Sequence, residues 1–363
     1  MRIVVKIGTS SVTGDDGAIR RSAISALCAQ VAQLRAHGHE VLIVSSGAVA
    51  GGVAALGMSR RPTDTLTLQA LSAVGQSRLM QEYNQLLHEY ALVGAQVLLV
   101  PNDFIDRNQY LHARQTLLRL LELGCVPVIN ENDAIASDEI RFGDNDRIAA
   151  LVAHSVVADV LILLTDIAGL YTSDPHVDPD AKFIEQVDSD DPLLSVNATA
   201  SNNARGSGGM ASKLAAARIA SWSGVRTVIA HSERADVLAQ ALAQTEGAGT
   251  QFLPRDRQLS ARKLWIAFAA QHSGVIVIDD GAKTAITTRN TSLLHAGVVE
   301  VHGDFAVGDT VEITDLANGV IARGMVSIDA VQASAAAGRK SSELPDGVPA
   351  EIVHRDDLVV LLG

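Results

Sequence analysis

Arg2-Ile3-Val4-Val5-Lys6-Ile7-Gly8-Thr9-Ser10 opens the chain and decides how the rest is read. The β-branched run predicts a strand, and Gly8 marks where it gives way to a loop. Open α/β sheets hold ligands beyond the carboxyl ends of their strands, where a lysine and a close-approach glycine suit a phosphate. A lysine at a strand end can equally be a solvated side chain, so the rest of the chain has to discriminate.

Outward from that run, strand-like and helix-like segments alternate. Residues 22–37 repeat apolar side chains at helical spacing and stop at Gly38, 41–44 is a second apolar strand, and 66–90 is a long helical stretch. Short apolar runs follow at 97–100, 126–129, 160–164 and 227–230, separated by helical patterns at 111–123, 147–158 and 213–223. This alternation predicts a mostly parallel sheet covered on both faces, a three-layer αβα sandwich. After Gln251 the pattern changes to a polar connector and then short strand-like runs at 275–278, 285–288, 298–301, 310–313 and 320–326. These predict a small β-barrel-like unit. Residues 333–342 are small and polar and read as a mobile loop. The expected organisation is a domain over 1–253, a linker over 254–272 and a β domain over 273–363.

Composition narrows the function. The 363 residues are 47% hydrophobic with a net charge of −12, so the chain is globular and a poor general binder of phosphate backbone. The tail from Ser273 is acidic too, with six Lys or Arg against thirteen Asp or Glu, 6 − 13 = −7, which argues against RNA as a partner. Two cysteines exclude a disulfide framework and a cysteine-rich zinc site. No apolar run approaches a membrane span, and the first residues are not a signal peptide, so a cytoplasmic protein is expected.

Three further clusters could carry chemistry. Gly206-Ser207-Gly208-Gly209-Met210-Ala211-Ser212-Lys213 opens a helical run, where backbone N–H groups and a helix start favour an anion. It fits G-x-G-x-x-A, but turn-rich residues rather than a first strand precede it, and its spacing to Lys213 is not that of a Walker A loop. Ser45-Ser46-Gly47-Ala48 follows the second strand and does not fit a hydrolase elbow. The densest polar cluster is Asn130-Glu131-Asn132-Asp133 with residues 139–147, ending in Gly143-Asp144-Asn145-Asp146-Arg147. Its carboxylates and amides suit an ammonium group and the orientation of lysines, although Asp146 can equally be read as a cap of the following helix. Thr165-Asp166, with Gly169-Leu170-Tyr171, follows another strand and reads as a nucleotide-edge contact or an ordinary turn.

Taken in order, Lys6-x-Gly8, Ser45–Ala48, Asn130–Asp133, Gly143–Asp146, Thr165-Asp166 and Gly208–Lys213 resemble the amino-acid kinase family, in its glutamate-phosphorylating branch, and the tail resembles a PUA domain. The resemblance covers essentially the whole chain. It implies a phosphotransferase with a carboxyl acceptor that uses ATP, with Mg²⁺ arriving on the nucleotide and no metal site of the protein's own. Lys6 and Lys213 would meet the phosphates, and Asp146 would orient both lysines. Ser46, Asp133 and Asn145 would hold L-glutamate. Thr165, Asp166, Ser207, Gly208, Gly209, Met210, Ala211, Ser212 and Lys213 would bind ATP. Residues 197–205 match nothing in the family pattern. Aspartate, acetylglutamate or a nucleoside monophosphate are the alternative acceptors. The resemblance further implies a homo-oligomer, feedback inhibition by proline and a downstream glutamyl-phosphate reductase.

Overall fold

The computed structural model describes residues 1–363 except 15–16, 105, 136–144, 174–176, 179, 190, 192–208, 257–258, 270–271, 346 and 362–363. The chain divides into two compact units, Met1–Gln258 and Leu259–Gly363.

In the first unit the strands are β1 (Arg2–Ile7), β2 (Glu40–Ser45), β3 (Gly94–Leu99), β4 (Val126–Glu131), β5 (Val160–Thr165), β6 (Leu170–Tyr171), β7 (Phe183–Ile184), β8 (Gln186–Val187), β9 (Arg226–His231) and β10 (Thr250–Phe252). The helices are α1 (Thr9–Val12), α2 (Arg21–Ala36), α3 (Ala48–Ala55), α4 (Thr65–His88), α5 (Arg107–Glu122), α6 (Asn145–Ser155), α7 (Met210–Trp222) and α8 (Val237–Leu242). Among the described residues eight strands form one sheet in the order β3-β4-β2-β1-β5-β9-β10-β8, parallel from β3 to β9, with β10 antiparallel to β9. The short strands β8 and β10 and the β6–β7 pair have too few residues to register as apolar runs in the sequence.

Alternation along the strands sorts the layers. Ile3, Val5 and Ile7 of β1, Val41 and Ile43 of β2 and Val126 and Val128 of β4 share one apolar cluster with Ile24, Leu27 and Val31 of α2 and Leu79, Tyr83 and Leu87 of α4. Lys6 has the opposite parity and faces the layer of α6, where it meets that helix. Helices α3 and α4 lie against each other through glycine: a Cβ on Gly52 would overlap the Leu71 carbonyl, and one on Gly75 the Ala48 carbonyl. No helix among the described residues is long and apolar enough to cross a membrane.

The second unit carries α9 (Ala261–Leu264), β11 (His272–Ile278), α10 (Asp280–Arg289), β12 (Leu293–Leu294), β13 (Val298–Gly303), β14 (Thr310–Thr314), β15 (Val320–Val326), α11 (Ala330–Ala336) and β16 (Glu351–Val360). Its strands among the described residues run β12-β16-β15-β14-β11-β13. Register shifts in five of the pairings bend them around one cluster that includes Ile276, Ile313, Ile321 and Ile352. Two expectations fail here. Residues 285–288 are not a strand but the end of α10: the Asp279 carboxylate caps that helix by accepting from the Ala282 N–H at 2.7 Å, and Thr284, Thr287 and Thr288 each donate to the carbonyl four residues back. The stretch 333–342 is not a mobile loop throughout, because Asp329 caps α11 and Ala333 is wholly buried. Within 254–272, read as a linker, α9 and a following π-turn bury Leu264, Ile266 and Ala267.

Candidate active site

The parallel strands end together on one edge of the sheet, and the buried polar side chains gather there. Lys6, the last residue but one of β1, places its Nζ 2.6 Å from Asp146 Oδ1. Lys213, at the end of the first turn of α7, places its Nζ 3.4 Å from Asp146 Oδ2. The Ser212 hydroxyl donates to the same Oδ2 at 2.7 Å. Asp146 is 1% exposed. Burial alone would push its carboxyl up, but Lys6, Lys213 and Ser212 outweigh that and hold it well below the usual carboxylate range. Burial pulls the Lys213 ammonium down, and Lys6 adds to this while Asp146 and Asp166 oppose it. Two ammonium groups thus share one buried carboxylate. The Asp146 side chain is committed to these partners rather than to capping α6.

Asn145, the neighbour of Asp146, turns to the other side of the strand ends. Its Oδ1 accepts from the Glu131 backbone N–H at 3.1 Å. Its Nδ2 donates to Ser46 Oγ at 3.0 Å and to Asn130 Oδ1 at 2.9 Å. Asn130 Nδ2 in turn donates to Gln76 Oε1 at 2.8 Å. Because a backbone N–H can only donate, it fixes the Asn145 amide, and each following amide orientation is then forced.

Helix α4 completes this side. Its buried face carries Ser72, Gln76 and Tyr83 among leucines, residues absent from the expected site. Ser72 Oγ donates to Asp133 Oδ2 at 3.1 Å, and Tyr83 OH donates to Ser45 Oγ at 2.9 Å. Asp133 Oδ1 is buried with no hydrogen-bond partner among the described residues. Burial raises the Asp133 carboxyl to about 6, against the opposing pull of Ser72 and of the Arg61 charge. Polar residues at i, i+4 and i+11 on an apolar helical stripe were the available sequence clue to α4.

The remaining expected residues divide three ways. Thr165 ends β5 beside β1 and donates to Asp166 Oδ1 at 3.0 Å. Gly209, Met210 and Ala211 sit at the start of α7, which begins three residues before the predicted helix. Ser207 and Gly208 lie outside the described residues, as do Gly143, Asp144 and the segment 197–205.

Residues 1–231 match the amino acid kinase family and residues 274–348 match the PUA domain. The chain is 45% identical over 364 residues to a glutamate 5-kinase of Ralstonia nicotianae, covering 99% of this chain and 97% of that protein. It is 43% identical to a glutamate 5-kinase of Thermoanaerobacter pseudethanolicus, covering 99% and 98%. Among solved structures, carbamate kinase from Giardia lamblia bound to AMP-PNP superposes with a TM-score of 0.51 at 15% identity, covering 70% of this chain and 98% of that one, a likeness of fold.

Proposed function

Since the chain belongs to the amino acid kinase family, we propose that it transfers the γ-phosphoryl group of ATP to the γ-carboxylate of L-glutamate, the reaction that opens proline biosynthesis. The observation that carries this reading is the pair of buried ammonium groups, remote in sequence, on the two oxygens of Asp146.

The acceptor carboxylate is ionised at neutral pH and needs no general base. What opposes reaction is repulsion between that anion and the triphosphate. One pair of like charges about 4 Å apart costs about 4 kcal/mol at an effective dielectric near 20, roughly a thousandfold in rate. Lys6 and Lys213 supply fixed positive charge to offset it, and Asp146 holds both ammonium groups in place before the phosphates arrive. Mg²⁺ carried by the nucleotide would share this neutralisation. Both Asp146 oxygens are already engaged by ammonium and hydroxyl groups, so the metal's ligands would come from the phosphates and water. A γ-carboxylate oxygen forms the new bond to phosphorus as the bond to the departing ADP oxygen breaks, giving an acyl phosphate. Thr165, Asp166 and the start of α7 would border the nucleotide. Ser46 and Asn145 would hold the acceptor, with Asp133 meeting its α-ammonium.

We place this activity in the cytoplasm and in a homo-oligomer. Proline would compete in the acceptor pocket, since it carries the same α-ammonium and α-carboxylate. The acyl phosphate would pass to a reductase. The test is ADP release by the purified protein with ATP, Mg²⁺ and glutamate, with hydroxylamine trapping the product. Hydroxamate should form with glutamate and not with aspartate, acetylglutamate or UMP. ADP release without hydroxamate would refute an acyl phosphate product.

A further inference from the structure

The forced amide orientations have a consequence at the last amide of the series. Gln76 Oε1 accepts from Asn130, which sets the orientation of the amide and leaves its Nε2 as the donor Gln76 can offer. Ser46 Oγ accepts from Asn145, so its hydroxyl hydrogen is likewise left to donate. Asp133 is the opposite: Ser72 satisfies Oδ2, and Oδ1 has no donor among the described residues. Ser72 and Gln76 are one turn apart on α4, so the hydroxyl that holds Asp133 and the amide that offers a donor lie on one helix face. Donors beside a bare carboxylate oxygen match a carbon that carries a carboxylate and an ammonium together.

We propose that Gln76 determines acceptor specificity, its Nε2 donating to the α-carboxylate of the amino-acid substrate while Ser72 keeps Asp133 Oδ1 free for the ammonium. This rests on the reading of the protein as a glutamate-phosphorylating kinase. It adds a residue of α4 to the acceptor-binding set, and it explains why buried Ser and Gln interrupt a leucine stripe.

Gln76→Glu keeps an oxygen for Asn130 Nδ2 but replaces the free donor with an acceptor that repels a carboxylate. Its KM for glutamate should rise tenfold to a hundredfold or so, as a lost hydrogen bond to a charged group implies, with the KM for ATP and the melting temperature held. The inhibition constant of γ-aminobutyrate, which lacks the α-carboxylate, should stay within about twofold. Gln76→Met, of similar size and uncharged, should raise the glutamate KM less than Gln76→Glu. An unchanged glutamate KM in a folded Gln76→Glu would overturn the proposal, as would equal weakening of glutamate and γ-aminobutyrate. If both variants melt well below wild type, Gln76 is a packing residue and the proposal is wrong. Wild-type protein that forms no hydroxamate with glutamate overturns the underlying reading instead, a separate result read from the control alone.

Discussion

Asp146 and Asp133 are carboxylates buried at the same edge of one sheet, and the fold treats them in opposite ways. Asp146 has a cation or hydroxyl on both oxygens and is held well below the usual carboxylate range. Asp133 has one neutral hydroxyl on one oxygen and, among the described residues, nothing on the other, and its carboxyl rises to about 6. The difference shows which partner each awaits. A carboxylate saturated by its own protein is a fixture that positions the lysines. One left half-paired in a buried place incurs a desolvation cost that an incoming ammonium would offset. The adjacent residues Asn145 and Asp146 lie between these regions, one tied to the amide series and the other to the lysines.

The severest way to break the contrast is at the saturated end. Lys213→Ala should lower kcat roughly a thousandfold, from the charge argument, while circular dichroism shows a folded protein. At the half-paired end the loss should appear in binding: Asp133→Asn should raise the glutamate KM tenfold to a hundredfold or so with little change in the ATP KM. An effect on kcat alone would mean that Asp133 does not meet the ammonium. Titration sharpens the comparison further. The ammonium needs a charged Asp133, so the glutamate KM should climb as pH falls through about 6, approaching tenfold per unit below it. Asp133→Asn should abolish that inflection. In the unliganded protein the sign is reversed. The folded carboxyl titrates above its unfolded value near 4, so its contribution to stability is present below that value and is lost as pH rises through about 6. The smallest effect belongs to Ser72→Ala. Losing the hydroxyl donor should move the KM inflection to higher pH and raise the glutamate KM about twofold to fivefold near pH 6.5, while Ser72→Thr retains most of the wild-type behaviour.

Much of this architecture is legible in the sequence because it is local. Five apolar runs of the first unit overlap the parallel strands β2, β3, β4, β5 and β9, and the residues around Lys6 place it at a strand end. The side of the sheet it faces follows from simple alternation, since its neighbours Val5 and Ile7 both point into the apolar cluster on the other side. Two-residue strands leave no pattern to read. The turn signal at Asp279 is also a helix cap, so the threonine-rich stretch behind it reads as a strand where α10 forms. The site is half legible. Polar clusters at strand ends stand out against apolar surroundings, whereas Ser72 and Gln76 are single letters inside a long helix. Their meaning depends on Asp133 and Asn130, some sixty residues away in the chain. The double use of Asp146 is likewise set by packing of α6 against α7, which no spacing in the sequence reveals.

The glycine seam between α3 and α4 bears on redesign. Gly75 immediately precedes Gln76, and neither Gly52 nor Gly75 has room for a methyl group. Mutagenesis aimed at new acceptors would therefore do best to vary Ser72 and Gln76 while leaving both glycines alone, since forcing the helices apart would carry the two selective side chains away from the strand ends they serve.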